Sequence, residues 1–304
     1  MTATADSIIE RRRLRKRLAF WRILAILAIV VAILAVVPWS RARDVEPYVA
    51  RFEIVGVITD NQERLAALQR IAKDKSITAL IVRIESPGGT VVGSEALYEA
   101  LREVAKVKPV VALMGEAAAS GGYIVAIGAD QIFSRRNTLT GSIGVFASVA
   151  DVTPLLERIG ISFTTIKSDP LKAAPNPLEP HDPLAIAARA AVIEDTYTWF
   201  RDLVGERRGL EGEALETVAD GRVFSGSQAL ELGLIDALGA EAEARNWLAK
   251  THNIPVTVPV RPYRWEPVEL PFPLNELAQG IGLWTQPGAA VLAPGPRLMA
   301  LYPG

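Results

Sequence analysis

The chain contains no cysteine. Disulfide bridges, thiolate catalysis and cysteine-based zinc sites are therefore excluded. Histidine is scarce, with only His181 and His252, too few for a histidine-rich metal centre. A surplus of charge is missing as well: 33 Lys and Arg stand against 34 Asp and Glu, a formal net charge of −1. A nucleic-acid partner would call for a basic chain, so none is expected. No metal and no cofactor is expected either. Half of the 304 residues are hydrophobic, enough for a substantial core and one or two domains.

The basic residues are unevenly placed. Arg11, Arg12, Arg13, Arg15, Lys16, Arg17 and Arg22 crowd the N-terminus, and Ile23 to Val37 follow without one polar side chain. With Leu18–Trp21 before and Pro38-Trp39 after, the run approaches the ~20 residues that cross a bilayer. Arg22 is able to snorkel, and Trp21 and Trp39 bracket the run as interfacial aromatics do. A cleaved signal peptide is the competing reading. Its apolar region would be unusually long, and Val36-Val37-Pro38-Trp39 is a poor small-residue cleavage site. A buried soluble helix is the third reading, but the run has no polar face. An uncleaved anchor is favoured, with the basic cluster cytoplasmic and everything after Ser40 on the far side.

The organisation that follows is a basic tail (1–17), a membrane helix (18–39), a linker (40–48), a globular domain (49–253) and a Pro-rich tail (254–304). Strands are expected at Phe52–Ile58, Ala79–Ile84, Val110–Met114, Gln131–Ser134 and Ile143–Val149. Helices are expected at Asn61–Lys75, Gly93–Val107, Ser120–Gly128, Val152–Ile159 and from Pro183 to about Arg207, with helical pieces in Ala214–Asp236 and Ala240–Lys250. Strands alternating with helices predict an α/β fold with a parallel sheet. Prolines 170, 175, 177, 180 and 183 make 168–182 an irregular loop or flap. For the apolar but aperiodic tail four placements stay open: on the membrane, on neighbouring copies, in a substrate groove, or disordered.

Ser120 is the candidate nucleophile. It stands in Gly115-Glu116-Ala117-Ala118-Ala119-Ser120-Gly121-Gly122-Tyr123, directly after an apolar run. A strand, a tight turn and a serine opening a helix present a hydroxyl beside backbone N–H groups. The same small residues also suit a plain packing turn. A serine needs a base, and neither histidine has a distinctive context. A lysine serves only when burial or neighbours let it lose its proton. Lys172, among Leu171, Ala173 and Ala174, is the better candidate; Lys167 stands near Asp169. Ser86-Pro87-Gly88-Gly89 follows a strand and offers glycine N–H groups at a strand end. One of these with Gly121 would make an oxyanion hole. Thr138-Leu139-Thr140-Gly141-Ser142-Ile143-Gly144 adds hydroxyls shortly after.

These segments, with Gly221-Arg222-Val223-Phe224-Ser225-Gly226 and Ala229-Leu230-Glu231-Leu232-Gly233-Leu234-Ile235-Asp236, resemble the SppA family of signal peptide peptidases. The likeness covers about residues 50–250. It implies a Clp protease/crotonase-like α/β domain and a Ser-Lys dyad. Ser120 matches the nucleophile and Lys172 the general base. Gly88 and Gly121 match the oxyanion positions, and Ser142 the hydroxyl that holds the lysine amine. It implies a bacterial inner-membrane protein, its catalytic domain extracytoplasmic, that degrades signal-peptide remnants and other hydrophobic peptides. It also implies a homo-oligomeric ring in which adjacent copies share the dyad. Two positions depart from the pattern. Asp169 replaces a glycine, with Lys167 as its expected partner, and Glu85 replaces an asparagine. A crotonase-like acyl-CoA enzyme and a non-enzymatic membrane scaffold remain as alternatives.

Overall fold

The computed structural model describes residues 17–18, 20–28, 46–265 and 299–301. The chain divides into two compact units, Met1–Glu46 and Pro47–Gly304. In the first, residues 17–18 and 20–28 are helical and expose Leu18, Trp21, Ile23 and Leu27. Among the described residues no helix is long and apolar enough to cross a membrane. Most of the span expected at 18–39 lies outside the described residues.

The second unit runs β1 (Tyr48–Val55), α1 (Gln62–Lys73), β2 (Ile77–Ser86), β3 (Gly88–Thr90), α2 (Val91–Ala105), β4 (Val110–Ala119) and α3 (Gly121–Ala126). Then come β5 (Gln131–Ser134), β6 (Leu139–Gly141), α4 (Thr153–Arg158), α5 (Pro183–Arg208), α6 (Gly212–Val218) and β7 (Val223–Ser225). The order closes with α7 (Gly226–Glu231), β8 (Ala237–Leu238), α8 (Glu241–His252), β9 (Val260–Pro262) and β10 (Met299–Leu301).

The main sheet has the order β7-β6-β4-β2-β1-β9, with β5 beside β4 and β8 beside β5. Its pairs are parallel except β6 with β7. The expected α/β architecture with a largely parallel sheet is thus present. Its central strands are apolar almost without interruption because both faces are covered. In β2, Leu80, Val82 and Ile84 join the core beneath α1, α2 and α3, while Ala79 and Ile81 pack with Ala244 and Leu248 of α8. The alternation is the two-residue period of a strand.

Local signals set the helix starts. Asn61 caps α1 by accepting from the Arg64 N–H at 2.9 Å. Thr90 caps α2 by accepting from Gly93 N–H at 3.2 Å. Asp182 does the same for α5 through the Leu184 N–H, and Gly209 at φ 64 ends that helix. Each side-chain oxygen meets an N–H that has no intrahelical carbonyl.

The helical pieces expected in Ala214–Asp236 are supplied by α6 and α7, with Gly221 at φ 85 and β7 between them. Two expectations need correction. Ile143–Val149 is no strand: Ser142 takes φ 51, and the chain leaves the sheet there. The segment after 254 is not all tail. Through β9 it adds to the sheet edge at β1. Trp265 then packs on Phe52, with ring centroids 6.4 Å apart, and beneath the Arg64 guanidinium at 4.9 Å.

Candidate active site

β4 carries the chain to the site. It begins in the hydrophobic core and ends at Ala119, and α3 begins at Gly121. Ser120 between them has φ 53 and ψ −118. These angles match the first central residue of a type II′ turn, a place that normally takes glycine. A serine held there costs on the order of 1–3 kcal/mol, which the surrounding packing must offset. The Ser120 N–H donates to the Gly141 carbonyl at 2.7 Å, which ties the elbow to the end of β6. The Oγ is buried, and it has no hydrogen-bond partner among the described residues. A buried hydroxyl left unpaired is costly, so its retention calls for a functional account.

The strand reaches this geometry through a bulge. Between the pairs Ile84↔Met114 and Ser86↔Ala118, one residue of β2 stands against three of β4. Glu85 fills the gap. Its Oε1 accepts from the Glu116 N–H at 2.7 Å, and Arg83 lies 3.5 Å from Oε2. Glu85, known from the sequence only as a departure from an asparagine, is therefore the side chain that pins the bulge.

The turn between β2 and β3 lies against α3. A Cβ on Gly122 would stand 2.9 Å from the Ser86 carbonyl oxygen, so only glycine allows this approach. Gly88 takes φ 115, open to glycine alone. Its N–H donates to Ser86 Oγ at 3.1 Å. Gly121 is the first residue of α3, so its N–H has no intrahelical carbonyl to meet.

Ser142 is buried beside this cluster, with φ 51, and its N–H donates to the Arg222 carbonyl at 2.8 Å. Thr140 Oγ1 donates to the Ala118 carbonyl at 2.7 Å, and Thr138 Oγ1 to that of Gly115 at 2.7 Å. The hydroxyls of Thr138 and Thr140 thus tie this segment to the outer half of β4. Their alternation was visible in the sequence, but their acceptors were not.

Behind α3, Tyr123 is fully buried and its OH donates to the Leu234 carbonyl at 2.8 Å. Burial pushes the phenol well above its ordinary pKa, so it stays a donor. Asp236 accepts from the Ile132 N–H at 2.7 Å and from Arg208 at 2.8 Å. Arg207 donates to the carbonyls of Ile127 and Ala129. The motif segments after residue 220 therefore brace the serine helix from behind.

The structure thus brings Ser120, Gly121, the Gly88 turn and Ser142 together. It does not bring Lys172 into contact with Ser120. Lys172 is exposed in the turn at 170–173, its N–H bonded to the Asp169 carbonyl at 3.0 Å. The expected Asp169–Lys167 pair is corrected. Asp169 instead accepts from the Leu171 N–H at 2.9 Å, and Lys167 pairs with Glu179. Glu179 also accepts from Asn176, and hydrogen bonding, first from Lys167, holds its carboxyl below the usual pKa.

Residues 102–255 match the profile described as Peptidase family S49. A protein of Synechocystis sp. that carries a provisional protease name is 40% identical over 216 residues, 69% of this chain and 76% of that protein. The chloroplastic serine protease SPPA of Arabidopsis thaliana is 34% identical over 228 residues, 73% of this chain and 32% of its own. Protease 4 of Haemophilus influenzae is 33% identical over 183 residues, 59% of this chain and 29% of its own. The chain spans three quarters of the cyanobacterial relative but only about a third of the other two.

Proposed function

The chain belongs to peptidase family S49 and is a serine protease, and on that premise we propose that Ser120 is its nucleophile and Lys172 its general base. The observation that carries this reading is the Ser120 elbow. It is a strained, buried serine between strand and helix whose Oγ has no other employment.

In the proposed reaction a neutral Lys172 amine takes the proton from Ser120 Oγ as it attacks a peptide carbonyl. The Gly121 and Gly88 N–H groups receive the developing oxyanion. For Gly88 this means exchanging its bond to Ser86 Oγ for one to the oxyanion. A donor so placed is worth about 10²–10³ in rate. The lysine then protonates the leaving amine, and water releases the acyl group in a second cycle. Ser142 orients the amine.

Within one chain the base is not at the serine, so the amine is proposed to come from a neighbouring copy in a homo-oligomeric ring. The chain leading up to Lys172 supports this. Between residues 146 and 166 it exposes Phe146, Leu155, Ile159, Phe163 and Ile166, the last at 96%, and so many large apolar side chains left in solvent suit an interaction surface.

The proposed substrates are signal-peptide remnants and other hydrophobic peptides. The proposed setting is the extracytoplasmic face of a bacterial inner membrane, reached by the apolar run at 18–39. A fluorophosphonate probe followed by peptide mapping tests the nucleophile. One adduct is expected, on the peptide that holds Ser120, and none in Ser120→Ala. An adduct that survives the substitution overturns the assignment.

A further inference from the structure

The segment 165–180 carries two lysines, and the fold treats them differently. Lys167 keeps only 13% of its side chain exposed and is paired with Glu179, itself 25% exposed. Lys172 stands in solvent on the turn at 170–173, with no carboxylate partner among the described residues.

The backbone on either side of Lys172 is tied down. Before it, the Asp169 side chain accepts from the Leu171 N–H at 2.9 Å, and the Asp169 carbonyl accepts from the Lys172 N–H at 3.0 Å. After it, Ala173 takes φ 57, a left-handed conformation that alanine holds only when its surroundings impose it. Asn176 supplies that constraint, because its Nδ2 donates to the Ala173 carbonyl at 3.1 Å. Nδ2 also donates to the Glu179 carboxylate at 2.9 Å, and Oδ1 accepts from the Leu178 N–H at 3.0 Å. Both amide protons and the carbonyl oxygen are thereby engaged, which fixes the way the side chain is turned.

The carboxylate that holds Asn176 is held in turn. Glu179 accepts from Lys167, and the Thr165 side chain bonds to it as well. The Val152 N–H donates to the Pro177 carbonyl at 3.1 Å, which moors the turn at 176–179 to the start of α4. A chain of contacts therefore runs from Lys167 through Glu179 and Asn176 to the residue that follows Lys172.

We infer that Glu179 and Asn176 are positioning residues for Lys172, and that Lys167 is the counter-ion that seats Glu179 rather than a second base. The inference rests on the reading of Lys172 as the general base. A lysine amine sits on a flexible four-carbon stem. An amine that must meet a serine on another copy gains from a backbone fixed on both sides, since orientation is a large part of catalysis. Asn176 and Glu179 act through the Ala173 carbonyl and not on the reacting atoms.

Asn176→Asp is the sharpest probe. It keeps the size of the side chain, but an ionised carboxylate has no donor and would face both the Ala173 carbonyl and Glu179. A misplacement of about 1 Å costs up to 10²-fold, so kcat is expected to fall by about 10- to 100-fold with KM within about 2-fold. Glu179→Leu removes the acceptor for Asn176 and should act in the same direction. An Asn176→Asp chain with unchanged kcat, where Lys172→Ala is inactive, overturns the inference and leaves the base reading standing. A Lys172→Ala chain that hydrolyses as the parent does removes both.

Mixed assemblies separate positioning from folding. Full-length Ser120→Ala supplies Lys172, and full-length Lys172→Ala supplies Ser120. Asn176→Asp or Glu179→Leu is added to one copy or the other before mixing. Hydrolysis is expected to drop only when the change lies in the copy that supplies Lys172. An equal drop in both placements marks a folding or assembly defect, and no drop in either marks an idle contact; each overturns the inference. If the unaltered mixture is inactive while the parent chain hydrolyses peptide, the dyad lies within one chain. The kcat of Asn176→Asp, at an unchanged unfolding midpoint, then decides.

Discussion

The half of the molecule that carries Ser120 and the loop region that carries Lys172 differ in how far they satisfy themselves. Around Ser120 every neighbouring element is paired. β4 has partners on both sides, Glu85 fills its bulge, and Tyr123 and Arg207 fasten α3 from behind. Residues 144–182 hold the short helix α4 and a run of turns, and they join no named strand of the sheet. They leave Phe146, Ile159, Phe163 and Ile166 in solvent. α5 spans the two regimes: Leu184, Ile186 and Val192 in its first half are exposed, while Phe200 and Val204 further on are buried. One half of the proposed dyad thus sits among paired elements, and the other is mounted on exposed turns.

The largest expected effect separates the two halves. Ser120→Ala and Lys172→Ala should each remove hydrolysis by about 10⁴-fold or more, as for groups that act as a unit. Their stabilities should diverge from a third variant, Ser120→Gly. Glycine relieves the positive φ and should raise stability by about 1 kcal/mol, whereas Lys172→Ala should stay within about 0.5 kcal/mol of the parent chain. Thermal unfolding of the three variants checks this. A Lys172→Ala chain that unfolds far earlier would make the lysine structural and collapse the comparison.

A middle-sized effect probes the completeness of the serine half. Tyr123→Phe leaves the Leu234 carbonyl without its donor in the core. The cost should be about 1–3 kcal/mol, read from denaturant midpoints, and should be accompanied by a fall in kcat as the helix behind Ser120 loosens. An unchanged kcat and midpoint would show that α3 is braced by packing alone.

The smallest effect belongs to the lysine region. Hydrogen bonds, first that of Lys167, hold the Glu179 carboxyl below its ordinary pKa. A depressed carboxyl stabilises the folded state above its unfolded pKa, and that contribution is lost as pH falls through the folded value. Hydrogen exchange over 165–180, corrected for intrinsic rates, should therefore quicken below the usual carboxylate range and be flat in Glu179→Gln. The same acid dependence in Glu179→Gln would assign it to another group.

Much of the serine half was legible in the sequence because its signals are local. Apolar runs bounded by Gly and Pro gave β2 and β4, and small residues around Ser120 gave the elbow. Asn61 and Asp182 stand where caps stand. What stayed hidden needed partners distant in sequence. Glu85 meets Glu116 only across a bulge, and Tyr123 meets Leu234 across the whole second half of the fold. The strand expected at Ile143–Val149 failed because apolar content does not report the positive φ of Ser142. The lysine region was least legible, since its apolar residues follow no period and several of them stay exposed. The tail offered no periodicity at all, yet three of its residues pair with β3.

The central claim is that the serine and the lysine meet across copies. It is tested most directly by mixing full-length Ser120→Ala with full-length Lys172→Ala, each inactive alone, and following peptide hydrolysis after subunit exchange. The account predicts that activity returns, because a copy that keeps Ser120 then sits beside one that keeps Lys172. Mixtures that exchange subunits and stay inactive would contradict it.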